Sequence, residues 1–420
     1  MNTEFSFDDF CIEMEDLEVK KVKKFDRIWK ATAGGSVLTK PTVKDGIVYF
    51  SCMDGYIYAV EVEKGKEVWR FRTGDRSTCN PFIINNKIFV TSYDKHVYCL
   101  DMNGKEIWRF VTGGEIFGSV YGEKNRIFLA SRDSYVYCLK AETGELIWKF
   151  RSGDEIVNTP IIDEKRLYIG SFDGNFYCLD KDTGKEIWRF RTGGEIFYPG
   201  PSTLHNRIVY FSSLDNYLYA VKCENGKEIW RFRTGKYGNT STPSIGINAI
   251  YHATRDGILY ALNFEGKELW RFKAPTLLTT PVFYKNKIFV GCEDGSLYCI
   301  DEDGNLVWKF VTSSGGLVGW APQPVDKFIY FGSQDCHLYC VDIETGKEIW
   351  KFATSSNLRS SFPPPYEIFE ITIKKFESSE EFENEKYTPK VGNIESVESD
   401  YSIKSEYIFK SNYKTKSEYR

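Results

Sequence analysis

The sequence predicts an all-β protein: an eight-bladed β-propeller of four-stranded antiparallel blades. Three observations predict it. Nine tryptophans, Trp29, Trp69, Trp108, Trp148, Trp188, Trp230, Trp270, Trp308 and Trp350, recur at spacings of 40, 39, 40, 40, 42, 40, 38 and 42 residues. Eight aspartates, Asp54, Asp94, Asp133, Asp173, Asp215, Asp256, Asp294 and Asp335, recur once per interval. The block Gly-Lys-Glu-Ile-Trp-Arg-Phe stands at 104–110, 184–190 and 226–232. Self-similarity at a fixed period near forty residues marks a repeat architecture.

Each unit reads as four strands. In the unit ending at Phe190, Leu167-Tyr168-Ile169-Gly170 is a short apolar strand. Phe172-Asp173-Gly174-Asn175 is a turn, with Asp-Gly suited to positive φ. Phe176-Tyr177-Cys178-Leu179 is the next strand, and Asp180 to Gly184 the next turn. Glu186 to Phe190 is an outer strand that alternates polar and apolar. Glu155 to Ile162 supplies the innermost strand, ending near Pro160. The two middle strands are nearly continuous apolar runs, as expected of strands covered on both faces. A small sheet buried on both sides and repeated every forty residues describes a propeller blade. Each registered Trp buries up to about 150–250 Å², an upper bound of roughly 4–6 kcal/mol per blade interface. Eight Asp-type hairpins imply eight blades, yet there are nine Trp strands. Either Trp29 or Trp350 supplies the outer strand that closes the ring.

Composition bounds the function classes. The chain has 420 residues, 16% aromatic and 27% charged, with a net charge of −4. That excludes wholesale disorder and a basic nucleic-acid footprint. No apolar run approaches a membrane span, and Met1 to Lys24 lacks the apolar core of a secretory signal. The expectation is a cytoplasmic monomer. The eleven cysteines are odd in number and no CxxC occurs. Cys99, Cys138, Cys178, Cys299 and Cys340 share one repeat position with Ala59, Ala220 and Ala261, which is how a small buried apolar residue behaves. Cys336, His337 and Cys340 are the nearest approach to a metal cluster, but 337 faces away from 336 and 340 on a strand, so no metal is expected.

The unit Tyr-(Ala/Cys)-(Leu/Val)-Asp-x-x-Thr-Gly-Lys-Glu-(Ile/Leu)-Trp resembles the tryptophan-docking repeat of the quinoprotein, or PQQ-like, β-propellers. Ile169 to Gly174 upstream matches as well, and the resemblance spans about residues 25 to 355. The repeat is much closer to this family than to WD40, whose Gly-His and Trp-Asp pairs are missing. The resemblance implies eight blades with each Trp packed across a blade interface. It also implies, in the enzymes of the family, PQQ and calcium in the central mouth with an aspartate base. Adjacent cysteines, CxxCH and long insertions are missing from this chain. A non-catalytic module that binds a protein or a small ligand is therefore preferred. The alternative is a PQQ-dependent dehydrogenase-like quinoprotein. The family's exported lipoproteins need a lipidated cysteine, and Cys11 lies in an acidic context.

A ligand site should lie where the copies differ, in the stretches before the inner prolines. Candidates for a channel or its mouth are Arg76, Asn80, Asn158, Tyr198, Asn239 and Trp320, the one tryptophan out of register. Trp320 either stacks on a planar ligand or plugs the channel. Glu115, Glu155 and Glu195 fall at one position in three consecutive blades and form a candidate acidic rim for a cation or basic peptide, or a solvated edge. No residue set supports nucleophilic catalysis: His96, His205, His252 and His337 are scattered over different blades. Residues 1–24 form an acidic, then lysine-rich, N-terminal extension, and 356–420 a polar tail. Within the tail Phe369, Ile371 and Ile373, and Tyr401, Ile403, Tyr407 and Phe409, alternate as strand faces.

Overall fold

A computed structural model describes residues 35–197, 202–313 and 315–354, together with the backbone of Leu17–Lys21 and Phe369–Ile373. Eight four-stranded antiparallel sheets follow one another along the chain, each built from consecutive strands. Blade 1 comprises Thr42–Lys44, Ile47–Ser51, Tyr56–Glu61 and Glu67–Arg72, from the centre outward. The outer strands of blades 2 to 8 are Glu106–Val111, Leu146–Arg151, Glu186–Arg191, Glu228–Arg233, Glu268–Lys273, Leu306–Val311 and Glu348–Ala353. No helix occurs among the described residues. The ring is one compact unit over Thr32–Ser361. Separately, Leu17–Lys21 pairs antiparallel with Phe369–Ile373, so the alternating 369–373 segment forms a strand with the N-terminal extension. The 401–409 face lies outside the described residues, as do Trp29 and Tyr198.

The middle strands bury every residue but their ends, whereas the outer strands alternate. Directly across from each Trp stands the small residue of the third strand: Ala59 opposite Trp69, Cys99 opposite Trp108, Cys340 opposite Trp350. An indole lying over its cross-strand neighbour leaves room there only for Ala or Cys, which is the physical reason the two interchange.

Each of the eight outer-strand tryptophans from Trp69 to Trp350 reaches into the next blade. Trp69 Nε1 donates to Met102 O at 3.0 Å, Trp148 Nε1 to Lys181 O at 3.1 Å and Trp270 Nε1 to Glu302 O at 2.7 Å. Each ring also covers a turn glycine of that blade, Gly104 beneath Trp69 and Gly184 beneath Trp148, at positive φ. The eighth outer strand carries Trp350, and the chain before the first blade locks onto the last: Val37 N donates to Ser333 O at 3.0 Å and Thr354 Oγ1 to Gly35 O at 2.9 Å. Among the described residues no strand is shared between the ends of the ring.

The outer strands carry a device that alternation does not reveal. In every blade the residue before Trp is an extra, bulged residue: Val60 pairs with Glu67 and Ala59 with Trp69, leaving Val68 unpaired. The equivalent residues Val68, Ile107, Ile147, Ile187, Ile229, Leu269, Val307 and Ile349 are all exposed, between 40% and 53%. Bulges and flanking charges keep edge strands from pairing with other chains. Glu–Arg forks straddle the bulge, as in Arg109 Nε and Nη2 to Glu106, both at 2.7 Å.

Candidate functional site

The antiparallel order puts two sets of loops on the same face: the Asp turns between the second and third strands, and the crossover loops that lead inward to the next blade. Both are tied down. Asp94 Oδ2 accepts from Tyr98 Oη at 2.5 Å and from Gly74 N of the preceding crossover at 2.6 Å. Asp173 does the same with Tyr177 and Gly153, at 2.5 and 2.8 Å. Asp94, Asp133, Asp173 and Asp215 are inter-blade clasps of this kind, whereas the crossover before Asp294 has Pro275 at that place, with no N–H to give. The recurring aspartates do not converge on one centre.

At the inner ends of the crossover loops runs a belt of hydrogen bonds from blade to blade. Lys40 N donates to Asn80 Oδ1, Asn80 N to Ser119 Oγ and Ser119 N to Thr159 Oγ1, each at 2.8 Å. Farther round, Thr242 N donates to Thr280 Oγ1 at 3.2 Å, Thr280 N to Trp320 O at 2.9 Å and Trp320 N to Leu38 O at 3.3 Å. A side-chain oxygen just before the inner proline, or before Val120 in the case of Ser119, accepts the previous blade's N–H, and at Trp320 a backbone oxygen takes over. Lys40 is the one charged residue among these belt positions, and burial lowers its pKa.

This geometry places the sequence candidates. Asn80 is a belt residue. Asn158 is buried, its Nδ2 donating to Gly170 O at 3.2 Å and Ile196 O at 3.0 Å. Asn239 is wholly buried between blades, accepting at Oδ1 from Thr234 Oγ1 at 2.7 Å. Trp320 is half-buried beside Lys40's loop. Arg76 packs 4.7 Å over the ring of Tyr93.

Arg76 begins a ladder across the crossover face. Tyr93 stacks on Phe117 with centroids 4.1 Å apart, and Arg132 lies 5.4 Å over Phe117. Arg132 then joins two of the three rim glutamates, Nε to Glu155 Oε2 at 2.7 Å and Nη1 to Glu115 Oε2 at 3.0 Å. Phe172 and Phe197 stack at 5.1 Å farther along the same face. Sequence reading missed Tyr93, Phe117 and Arg132. Their signal was available: Tyr93, Arg132 and Phe172 each immediately precede a ruler aspartate, at a turn position that holds seven residue types in eight blades. His252 is buried and its pKa is pushed down to about 3 by burial. Cys336, His337 and Cys340 do not form a metal group, and no cluster of three or more His, Cys, Asp or Glu arranged to hold a metal occurs among the described residues.

Residues 120–376 match the family described as the β-propeller of the beta-alanine-activating enzyme. Residues 26–84 and 53–134 match the family of the outer membrane protein assembly factor BamB. No curated protein matches the chain. Among solved structures, BamB from Moraxella catarrhalis is 17% identical with a TM-score of 0.64, covering 76% of this chain and 98% of its own. The computationally designed Ika8 protein is 18% identical with a TM-score of 0.66, covering 74% and 98%. Quinohemoprotein alcohol dehydrogenase from Comamonas testosteroni is 16% identical with a TM-score of 0.62, covering 76% and 74%. At these identities the likeness is one of fold.

Proposed function

The chain belongs to the β-propeller family of the beta-alanine-activating enzyme, a ring of PQQ-like repeats, and from that membership we propose that it is a non-catalytic scaffold that binds a protein partner. The observation that carries the reading is the ladder Arg76–Tyr93–Phe117–Arg132 with Glu115 and Glu155. It offers rigid aromatic area, two cations and two carboxylates on one face, the mixture in which interface anchors are enriched. The belt supports the same reading from the inside. The polar groups of Asn80, Ser119, Thr159 and Thr280 are already committed to neighbouring blades. Asn158 is likewise committed to carbonyls.

The quinoprotein alternative would need a carboxylate-rich set for calcium beside PQQ at the mouth. The rim glutamates Glu115 and Glu155 are engaged by Arg132, and no metal-holding cluster occurs among the described residues, so the groups present do not suit that cofactor. We place the protein in the cytoplasm, where its buried thiols would stay reduced. The test puts a photo-crosslinking amino acid at Phe117 in the full chain. One defined crosslinked protein, lost on Arg132→Glu, is the expected result. PQQ- and calcium-dependent dye reduction by the purified protein would overturn the reading in favour of a dehydrogenase.

A further inference from the structure

Seven of the eight blade seams follow two simple patterns, and one does not. In six, a crossover residue meets a second-strand residue of the following blade as an apolar pair. The pairs are Val37 with Phe50, Ile116 with Leu129, Ile156 with Ile169, Ile196 with Phe211, Leu278 with Val290 and Val318 with Phe331. Between blades 1 and 2 the crossover residue is Ser77, whose hydroxyl is satisfied by Thr91 O at 2.7 Å.

Between blades 5 and 6 the pair is Asn239 and His252. The equivalence is geometric. Asn239 N donates to Ser213 O as Ile116 N does to Ser92 O, and His252 stands opposite Tyr260 as Leu129 does opposite Tyr137. Both side chains are 0% exposed.

The hydrogen bonds fix the histidine's tautomer. Ser241 Oγ donates its single proton to Ala253 O at 2.5 Å. Toward His252 Nδ1, 3.3 Å away, the hydroxyl can therefore only accept, so Nδ1 carries the proton. Nε2 is then a lone pair, buried and without a donor. Asn239 Nδ2 is a buried donor without an acceptor, and Thr242 Oγ1 is a third buried atom without a partner. Left unanswered, each carries the desolvation penalty of a buried polar group.

We propose that the seam between blades 5 and 6 is a built polar site for a water-sized, neutral molecule that accepts from Asn239 Nδ2 and donates to His252 Nε2. Asn and His fill less volume than any of the six apolar pairs, which leaves room of the order of a water, ~30 Å³. A charged guest is disfavoured, because the groups bonded to Asn239 and His252 are the neutral Thr234 and Ser241. Six seams are closed by apolar pairs and one by the Ser77 hydrogen bond; this one is closed by a guest.

The test is nuclear magnetic resonance on the perdeuterated, nitrogen-15-labelled full chain in water. His252 Nε2 should show the shift of an unprotonated acceptor, and the Asn239 side-chain amide should show cross-relaxation with a long-lived water. The double variant Asn239→Ile/His252→Leu, which copies the seam between blades 2 and 3, should keep the melting temperature of the parent chain. A protonated Nε2, or an Asn239 amide with no water cross-peak, would overturn the proposal. Both readouts come from the unsubstituted protein, so they decide even if the double variant fails to fold.

Discussion

Trp350 Nε1 donates to Val62 O at 2.8 Å across 288 residues of sequence. It is the same bond that joins every other pair of neighbouring blades, made here between the last and the first. The ring therefore closes by a side chain packing on a turn, with no strand exchanged among the described residues. Closure rests on the clasp at one seam: Trp350, the Gly65 turn beneath it, and the 35–39 segment bonded to blade 8.

Gly65 should tolerate no side chain. Its φ is +62°, and a Cβ there would lie 2.6 Å from Trp350 Cε3. Gly46 has a φ of +77° but no atom within 4 Å of such a Cβ. Gly46→Ala should then cost only the backbone term, about 1 kcal/mol. Gly65→Ala should cost that plus overpacking against the indole, about 2–4 kcal/mol in total. Denaturant melts of the two variants measure the difference, and equal costs would show that Trp350 can move aside.

The residue opposite each Trp should obey a size limit. Cys99→Ala should cost less than about 1.5 kcal/mol, because Ala already fills that place in three blades. Cys99→Leu should cost about 1–3 kcal/mol by forcing Trp108 off its place over Gly144. Comparing melting temperatures of the two variants checks the order.

Much of this was legible in the sequence because the ring repeats its contacts. The Trp ruler marks a clasp that every blade makes, and the Asp ruler a hairpin turn that recurs in each, so both stand out against the positions between them. The Cys–Ala interchange signalled burial, and the structure supplies its cause in the cross-strand indole. Three things were not legible. The bulge at Val68 looks in sequence like ordinary strand alternation, because one extra residue changes pairing and leaves composition alone. The ladder joins Arg76 to Arg132 through contacts between blades, which no local pattern encodes. Asn80 and Asn158 read as binding residues because they are polar and variable. They vary because several oxygen-bearing side chains can accept or donate the same inter-blade bond.

Arg132 should matter to recognition far more than to folding. Its two carboxylate partners are partly exposed, so Arg132→Gln should cost no more than about 1 kcal/mol of stability. The same change leaves Glu115 and Glu155 unneutralised beside Phe117, and crosslinking of a partner from that position should fall several-fold. A large loss of stability with crosslinking intact would make Arg132 a structural pin.

Acid should weaken the ring through His252. Its native pKa is pushed down to about 3 by burial, against 6.5 for an ordinary histidine. Above pH 6.5 neither the folded nor the unfolded chain protonates it, and its neutral form incurs no pH-dependent cost. Below 6.5 the unfolded chain binds a proton that the native site refuses until about 3, so stability falls across that window. The slope approaches ~1.4 kcal/mol per pH unit at most. His337 works in the opposite sense. Burial disfavours its charge, but the Asp335 carboxylate outweighs that and raises its pKa, so its contribution is present below 6.5 and fades as pH rises. His252→Leu removes only the first of these effects. Denaturant midpoints at pH 7 and pH 4.5 should therefore diverge less in the variant than in the parent chain, with the carboxylates acting equally in both. Parallel losses in the two proteins would mean that His252 accepts its proton inside the folded seam.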